Sequence, residues 1–297
     1  MQRRSFLWGG AGALLRGAGA SRPFRLAICN ETYGERPFQA TCRSIRQAGY
    51  TGIEIAPFTL AEDPVAIPAA RRRQYASILR SEGLTFASLH WLLRAPQGLH
   101  VTTADPAVRE RSWRHMRGLI DLCADLGPGG VMVLGSPQQR AITAGVSRKQ
   151  AVGYLTAGLA GIAGHASERG VHVLIETFTQ YPADPVRSLD EAAAIVRQVG
   201  SPAIQMMFDT NNASREAEPH ATLVDRYFDR IRHVHLTEHN GAYPGQGSYD
   251  FKPVLRVLRR RGYAGWLSVE VFDFSAGGDT IARESMRYIS AEIARLT

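Results

Sequence analysis

The chain alternates strand-like and helix-like segments eight times, from residue 24 to near its C-terminus. Short apolar runs predict strands at Phe24–Ile28, Gly52–Ile55, Thr85–His90, Gly130–Leu134, His172–Glu176, Gln205–Asp209, Ile231–His235 and Trp266–Glu270. Segments with apolar residues every three or four positions predict helices at Phe38–Gly49, Ala69–Glu82, Pro106–Leu126, Arg148–Arg169, Ser188–Val199, Thr222–Asp229, Phe251–Arg261 and Asp279–Leu296. This alternation predicts an α/β protein, and eight units favour a closed parallel (β/α)8 barrel. A doubly wound sheet is the alternative, but no G-x-G-x-x-G motif follows the first strand.

The length agrees with one barrel. The chain has 297 residues, and (β/α)8 barrels commonly form a single domain of about 250 residues. We therefore predict one domain over residues 21–297. Active sites of such barrels lie at the C-terminal ends of the strands. Polar residues that close the apolar runs are therefore the candidates for function.

The first twenty residues have the parts of a twin-arginine export signal. The motif R-R-S-F-L occupies residues 3–7, an apolar stretch covers residues 8–15, and A-G-A at residues 18–20 offers a cleavage site. The apolar stretch is too short to span a bilayer. We expect residues 1–20 to be a signal peptide that directs the domain to the periplasm. The alternative is a disordered tail on a cytoplasmic protein.

Composition argues against several classes of function. The formal net charge is +8, but only Lys149 and Lys252 are lysines, and no basic stripe with interleaved aromatic residues is present. A nucleic-acid partner is therefore not expected. Neither lysine ends a predicted strand, which disfavours Schiff-base aldolase chemistry. The cysteines, Cys29, Cys42 and Cys123, lack metal-binding spacing and are expected to be free thiols, with Cys29 packed as a small hydrophobe.

Four polar residues each close one of the last four apolar runs. Glu176 follows VHVLI, Asp209 follows IQMMF, His235 follows IRHV, and Glu270 follows WLSV. They are spaced by about one strand–helix–strand unit, so neighbouring strand ends would bring them to one point. Three carboxylates and one imidazole favour Mn²⁺ or Mg²⁺ and leave Co²⁺, Zn²⁺ and Fe²⁺ open. The sequence therefore predicts a single divalent-metal site.

Each of these residues alone has a simpler explanation. A strand-end carboxylate often caps the next helix or pairs with an arginine, and a lone histidine is often a hydrogen-bonded core residue. A cluster of buried carboxylates, however, would repel itself and raise its own pKa values unless a cation neutralised it. The metal site is therefore the favoured interpretation of the set.

The sequence also resembles a known family, the xylose-isomerase-like TIM barrels of sugar isomerases and epimerases. Ketose 3-epimerases are the most similar branch, with hydroxypyruvate isomerase and inosose dehydratase as relatives. The resemblance covers about residues 24–295. It is carried by G-Y-T-G-I-E-I (49–55), S-L-H (88–90), V-L-I-E-T (173–177), F-D-T-N-N (208–212), H-V-H-L-T-E (233–238), P-G-Q-G-S-Y-D-F (244–251) and L-S-V-E (267–270).

The resemblance implies a (β/α)8 TIM barrel enzyme that binds one divalent ion through Glu176, Asp209, His235 and Glu270. It also implies that Glu176 and Glu270 are the acid/base pair. One would remove a proton beside the carbonyl of a ketose or related polyol, and the other would return a proton to the opposite face of a cis-enediolate. The expected partner is a small carbohydrate, and homologous dimers or tetramers suggest a homo-oligomer.

Five further residues are candidates for substrate binding. Glu54 and His90 end the second and third predicted strands and are expected to face the pocket, and Trp91 is a candidate to stack on a sugar. Asn212 stands where ketose 3-epimerases usually have a histidine. His239 is the candidate to replace an arginine that the family has nearby.

Other departures from the family leave the reaction open. Pro182 stands where the family has a glutamate that holds the substrate. A lyase that acts on keto-inositols or 3-keto-glycosides is therefore the main alternative, because the same enediolate can eliminate a leaving group. An endonuclease-IV-like DNA repair enzyme is disfavoured because Asn212 replaces a zinc-binding histidine. A non-catalytic polyol-binding protein is disfavoured because it needs no paired carboxylates on a cation.

Overall fold

The computed structural model describes residues 23–296 as one closed barrel of eight parallel strands with helices between them. The proposed signal peptide, residues 1–20, lies outside the described residues. The strands are β1 Arg25–Cys29, β2 Gly52–Ile55, β3 Thr85–Leu89, β4 Val131–Leu134, β5 His172–Ile175, β6 Ile204–Asp209, β7 Ile231–Leu236 and β8 Trp266–Val269. The helices are α1 Phe38–Gln47, α2 Ala69–Ser81, α3 Pro106–Leu126, α4 Pro137–Arg140, α5 Arg148–Glu168, α6 Leu189–Val199, α7 His220–Tyr227, α8 Lys252–Arg260 and α9 Gly278–Ala294.

The barrel and its single-domain architecture confirm the fold predicted from the alternating pattern. Each strand pairs in parallel with the next, and β8 closes the barrel on β1. Each predicted strand overlaps an observed strand to within one or two residues. The four-residue helix α4 was not predicted, because it is too short to show a helical repeat.

Residues inside the barrel alternate with residues that face the helices. In β4, β5 and β6, the side chains of Val131, Val133, Leu174 and Met207 form a small cluster separate from the main core. Their neighbours along the strands belong to the large cluster between strands and helices. Successive residues of a strand point to opposite faces. Glu176, two residues after Leu174, is therefore directed to the barrel axis.

Helix starts are encoded locally. Asp105 accepts hydrogen bonds from the backbone N–H groups of Ala107 and Val108, and Pro106 occupies the first turn of α3. At α5, Ser147 and Gln150 cap each other's backbone in a capping box. These caps satisfy N–H groups that the first helical turn leaves unpaired. Within residues 23–296, no helix combines the length and apolar character needed to cross a membrane.

Helices α3 and α5 pack closely where α5 has a glycine. A Cβ atom at Gly158 would overlap the Trp113 indole of α3, whereas a Cβ atom at Gly164, on the same helix, would meet nothing within 4 Å. We predict that Gly158→Ala lowers the free energy of unfolding by about 1–3 kcal/mol through overpacking. The control Gly164→Ala should raise it by up to about 1 kcal/mol, because alanine is the better helix former.

Urea denaturation of both variants measures this difference. Equal stabilisation by the two substitutions would show that the indole moves aside without cost, and would contradict a close α3–α5 contact.

Candidate active site

The four predicted metal ligands meet at the C-terminal mouth of the barrel. The His235 Nδ1 atom lies 2.9 Å from Glu270 Oε2, 3.3 Å from Asp209 Oδ2 and 3.8 Å from Glu176 Oε1. One ligand atom from each side chain lies within 4.8 Å of the other three, and all four residues are buried. Asp209 and His235 face each other because β6 and β7 pair at these positions. The spacing of strand ends thus produces the cluster.

The central atoms of this cluster lack hydrogen-bond partners. Among the described residues, Asp209 Oδ2, His235 Nδ1 and Glu270 Oε2 are buried, and although the nitrogen lies 2.9 and 3.3 Å from the two oxygens, no hydrogen bond of good geometry joins them. Most buried polar atoms in proteins are hydrogen-bonded, so unpaired ones call for an explanation. Two carboxylate oxygens and an imidazole nitrogen that face one point have the donor chemistry of a divalent-metal site. The residues therefore fit the ion that the sequence predicts.

The charged groups of the cluster shift one another's pKa values. Burial and the negative charges of Glu270 and Glu176 raise the pKa of Asp209 to about 7, although its contact with His235 acts in the opposite sense. Burial disfavours the His235 imidazolium, but the carboxylates of Glu54 and Glu270 raise its pKa well above its ordinary value. Without a cation, a proton on the imidazole partly balances the carboxylates.

Backbone and amide groups orient the acids. One Asp209 oxygen, Oδ1, accepts hydrogen bonds from the N–H groups of Asn211 (2.6 Å) and Asn212 (2.7 Å), which leaves Oδ2 for the cluster. The Asn212 side chain donates to Glu176 Oε1 at 2.9 Å. Gly135 lies against the other Glu176 oxygen, where a Cβ atom would collide with it. The loops after β4 and β6 thus fix the Glu176 carboxylate.

Glu54 lies behind His235 rather than at the cavity where it was expected. Its two oxygens are 3.0 and 3.1 Å from His235 Nε2, and Oε2 is 3.4 Å from His233 Nε2. The Cys29 thiol donates to the same carboxylate at 3.2 Å. Burial opposes ionisation of Glu54, but the three nearby imidazoles, those of His235, His233 and His90, hold its pKa well below its usual value. Glu54 therefore orients His235 so that Nδ1 points into the cluster.

His90 links Glu270 to a residue that the sequence reasoning missed. Its Nδ1 atom is 3.1 Å from Glu270 Oε1, and its Nε2 atom is 2.6 Å from Glu31 Oε2. The Trp91 indole also donates to Glu270 Oε1, at 3.3 Å. Glu31 follows the end of β1, so the strand-end rule that selected the other acids could have found it.

Two residues in the loops at the mouth of the barrel have strained backbone conformations. Trp91 and Ser136 follow β3 and β4 with φ values of 53° and 52°, in the left-handed region that costs a non-glycine residue about 1–3 kcal/mol. The Ser136 hydroxyl accepts a hydrogen bond from Leu93 N–H, which ties the two loops together. Such strain persists where surrounding contacts fix the backbone, and it occurs often at functional sites.

An inner cavity of about 180 Å³ opens above the cluster. Its walls include Glu176, Glu270, His90, Trp91 and Asn212. The structure thus brings together both proposed acid/base residues and three of the five predicted substrate-binding residues.

The fifth, His239, does not line this cavity. It is exposed, and its ring stacks against Tyr249 at a centroid distance of 4.6 Å. Its ring also lies edge-on to that of His220, at a centroid distance of 5.8 Å. This position makes no contact that would replace the family's arginine at the inner cavity.

Comparisons with known proteins agree with this geometry. The sequence model of the xylose isomerase-like TIM barrel family matches residues 42–292. The chain belongs to this family. The ketose 3-epimerase of Arthrobacter globiformis is 28% identical over 236 residues, which cover 77% of this chain and 78% of that protein. The inosose dehydratase of Lacticaseibacillus casei is 27% identical, over 39% of this chain and 45% of that protein.

Solved structures show the same fold. A 3-keto-D-glucoside 4-epimerase from E. coli superposes with a TM-score of 0.77 at 16% identity, with 91% of this chain and 100% of that chain covered. The family membership confirms the resemblance drawn from the motifs. Because the homologues are sugar epimerases, the prediction that this chain is an enzyme is also confirmed.

In this member of the xylose isomerase-like family, a buried arginine fixes the ends of two strands. Arg140 of α4 is fully buried and makes two hydrogen bonds to Asp184, at 2.7 and 2.9 Å. It also donates to the backbone carbonyls of Leu134 and Glu176, each at 2.7 Å. No pattern in the sequence marks this residue, because only the tertiary structure brings its partners together.

Breaking this pair should destabilise the barrel. We predict that Arg140→Met lowers the free energy of unfolding by about 3–5 kcal/mol, because Asp184 is then left buried without a counter-charge. The double variant Arg140→Met/Asp184→Asn should recover part of the loss. Urea denaturation measures both.

The exposed pair Arg114–Glu110, with side chains 69% and 74% accessible, is the control. Arg114→Met should change stability little, because surface ion pairs contribute little. A loss at Arg140 no larger than this would contradict a structural role for the buried pair.

Proposed function

We propose that this protein is a divalent-metal-dependent sugar epimerase or isomerase that acts on a ketose or related polyol through a cis-enediolate. The observation that carries the proposal is the set of three buried, unpartnered ligand atoms on Asp209, His235 and Glu270. Manganese or magnesium suits this oxygen-rich set, and Co²⁺, Zn²⁺ or Fe²⁺ is compatible with its imidazole.

Glu176, Asp209, His235 and Glu270 would hold the ion, which supplies positive charge that stabilises an enediolate anion. The protein's own residues would carry the proton transfers. Burial opposes ionisation of Glu270, yet His235 and His90 hold its pKa below its ordinary value, so this carboxylate is ionised at neutral pH, as a general base must be. Its Oε1 atom is oriented by His90 and Trp91.

Glu176 is the second member of the proposed acid/base pair. It follows β5 and Glu270 follows β8, with two strands between them, so the carboxylates approach the inner cavity from different sides. A substrate carbon between them could lose a proton to one carboxylate and regain one from the other, which inverts its configuration. The hydrogen bond from Asn212 positions Glu176 for this role.

The relatives support sugar chemistry at this site. Those reported above are named for a ketose, an inosose and a 3-keto-D-glucoside, all of which carry a carbonyl beside a C–H carbon. The main alternative is a lyase on keto-inositols or 3-keto-glycosides. It is favoured by Asn212, which cannot relay a proton as the family's histidine could. Export through the twin-arginine signal and homo-oligomer formation stay predictions.

The acid/base role of Glu270 is tested by deuterium exchange. We predict that Glu270→Gln lowers incorporation of solvent deuterium beside the carbonyl by at least about a hundredfold, because an amide cannot accept the proton. Fold and metal content should persist. NMR of ketose and keto-glycoside substrates in D2O measures the exchange, and elemental analysis measures the metal.

Glu110→Gln, at an exposed position of α3, is the matched control and should exchange at the wild-type rate. Full deuterium incorporation by Glu270→Gln would remove Glu270 from the mechanism. Release of water or an aglycone by the wild type, without any epimer, would replace the epimerase by the lyase.

Metal affinity should depend on pH in a direction set by Asp209. Its pKa without a metal is raised to about 7, so at lower pH the ion must displace a proton. Because the pKa of His235 is also raised, its proton must leave as well, so the apparent affinity for Mn²⁺ should fall with decreasing pH throughout and by about a further tenfold for each pH unit below 7. Calorimetric titration between pH 5.5 and 8 measures it.

Asp209→Asn provides the comparison. The variant should bind Mn²⁺ more weakly at pH 8 and show a shallower pH dependence, since only the His235 Nδ1 proton remains to be displaced. An affinity of the wild type that stays constant across this range would argue against Asp209 as a ligand.

A further inference from the structure

A second cavity continues the inner one outward. This outer cavity, of about 340 Å³, shares Trp91, Pro137 and Tyr181 with the inner cavity as common walls. The two spaces therefore meet at Trp91 and Tyr181. A molecule seated over the metal ligands can extend past these rings without leaving the protein surface.

The volumes indicate a substrate larger than one ring. Typical small-molecule sites hold about 300–1,000 Å³, and the inner cavity alone, at about 180 Å³, falls below that range. It has room for the reacting sugar only. The outer cavity is almost twice as large, so most of the joined site lies away from the reacting centre.

The outer cavity has the polar groups that bind hydroxyls. Gln138 and Gln139 line it; Gln138 is exposed and Gln139 is half-buried. Each amide can donate and accept, as a sugar hydroxyl requires. Arg94 also lines it, with its guanidinium 5.2 Å from the Trp91 ring centroid, and it forms no ion pair within residues 23–296.

Aromatic rings at the junction supply faces for a sugar ring. Tyr181 is 43% exposed and packs edge-on against Phe178. The large hydrophobic side chains exposed in the described part of the chain are Tyr181, Phe272 and Phe274, and the first two of these line the inner cavity. Exposed aromatic residues gathered at a cavity mouth mark a binding surface. The C–H face of a pyranose packs well against such rings.

We propose that the outer cavity binds the second ring of a glycoside, so that the preferred substrate is a keto sugar joined to another sugar rather than a free ketose. The reacting ring occupies the inner cavity beside Glu176 and Glu270. The second ring packs between Trp91 and Tyr181 and hydrogen-bonds to Gln138 and Gln139. This inference rests on the proposed epimerase function and adds its substrate class.

A third cavity lies on another side of the site, near Glu31. It holds about 500 Å³ and is lined by residues that include Glu31, Glu35 and Arg36. It shares no lining residue with the inner cavity. A substituent on the reacting sugar therefore meets the outer cavity first.

Substrates that differ only in the second ring test the proposal. The probes are methyl 3-keto-glucoside, with one ring, and the 3-keto derivatives of maltose, cellobiose and sucrose. Deuterium exchange beside the ketone gives kcat/KM for each with the manganese-loaded enzyme. We expect at least one disaccharide to exceed the one-ring probe by about tenfold or more, mainly through a lower KM, since a distant ring adds uniform binding.

Filling the outer cavity should remove this preference. Ala183 is exposed and lines the outer cavity only, so Ala183→Trp should lower kcat/KM for the preferred disaccharide about tenfold and leave the one-ring probe unchanged. Ala160→Trp, at an exposed position of α5 outside these cavities, is the matched control and should change neither. Gln139→Leu should cause a smaller loss of kcat/KM for the preferred disaccharide and should also leave the one-ring probe unchanged.

The outcomes separate the two proposals. Equal kcat/KM for one-ring and two-ring probes, or an equal loss for both in Ala183→Trp, overturns the glycoside inference and leaves the epimerase intact. Exchange with none of the probes or free ketoses overturns the epimerase function, and the inference falls with it. Calorimetric binding of maltose, cellobiose and sucrose to the metal-free protein and to Ala183→Trp gives a readout that is independent of catalysis.

Discussion

The imidazole of His235 lies between Glu54 at one nitrogen and the acids at the other, and the rest of the site depends on this contact. Glu54 holds Nε2 at 3.0 Å, so Nδ1 points at Asp209 and Glu270. If the ring turned over, the cluster would lose its nitrogen ligand and gain an unsatisfied carboxylate. A carboxylate behind a ligating histidine fixes both its orientation and its basicity. Burying these charged groups costs desolvation free energy. Only a bound cation or a shared proton offsets that cost.

The barrel makes such a concentration of charge possible. Alternation along each strand sends every second side chain to the axis, where apolar residues such as Leu174 and Met207 fill the lower layers. Only the last inward residue of each strand reaches the mouth, so the acids are gathered without interrupting the apolar core. Loop contacts then set their final orientation, as with Asn212 on Glu176 and Arg140 on the ends of β4 and β5.

Sequence patterns predicted the barrel well because helical and strand periodicities follow directly from burial. The same patterns selected Glu176, Asp209, His235 and Glu270, because a charged residue at the end of an apolar run is conspicuous. They failed where function depends on which way a side chain turns. Glu54 lies one residue before the end of β2, close to a strand end as the ligands are, yet it lies behind His235. Arg140 acquires its role from partners far along the chain, which no local pattern encodes. Glu31, two residues after β1, was overlooked although the strand-end rule covers it.

Trp91 contacts the proposed base and also lines the outer cavity, where the second ring of the substrate is proposed to bind. Its indole N–H donates to the proposed base Glu270, its side chain lines both cavities, and its ring lies near the Arg94 guanidinium. A group bound in the outer cavity therefore contacts the residue that orients the base. The second ring adds binding energy that lowers KM, while the Trp91 indole orients the base whether or not that ring is present. The strained backbone of Trp91 coincides with this contact to Glu270, and such strain occurs often at functional sites.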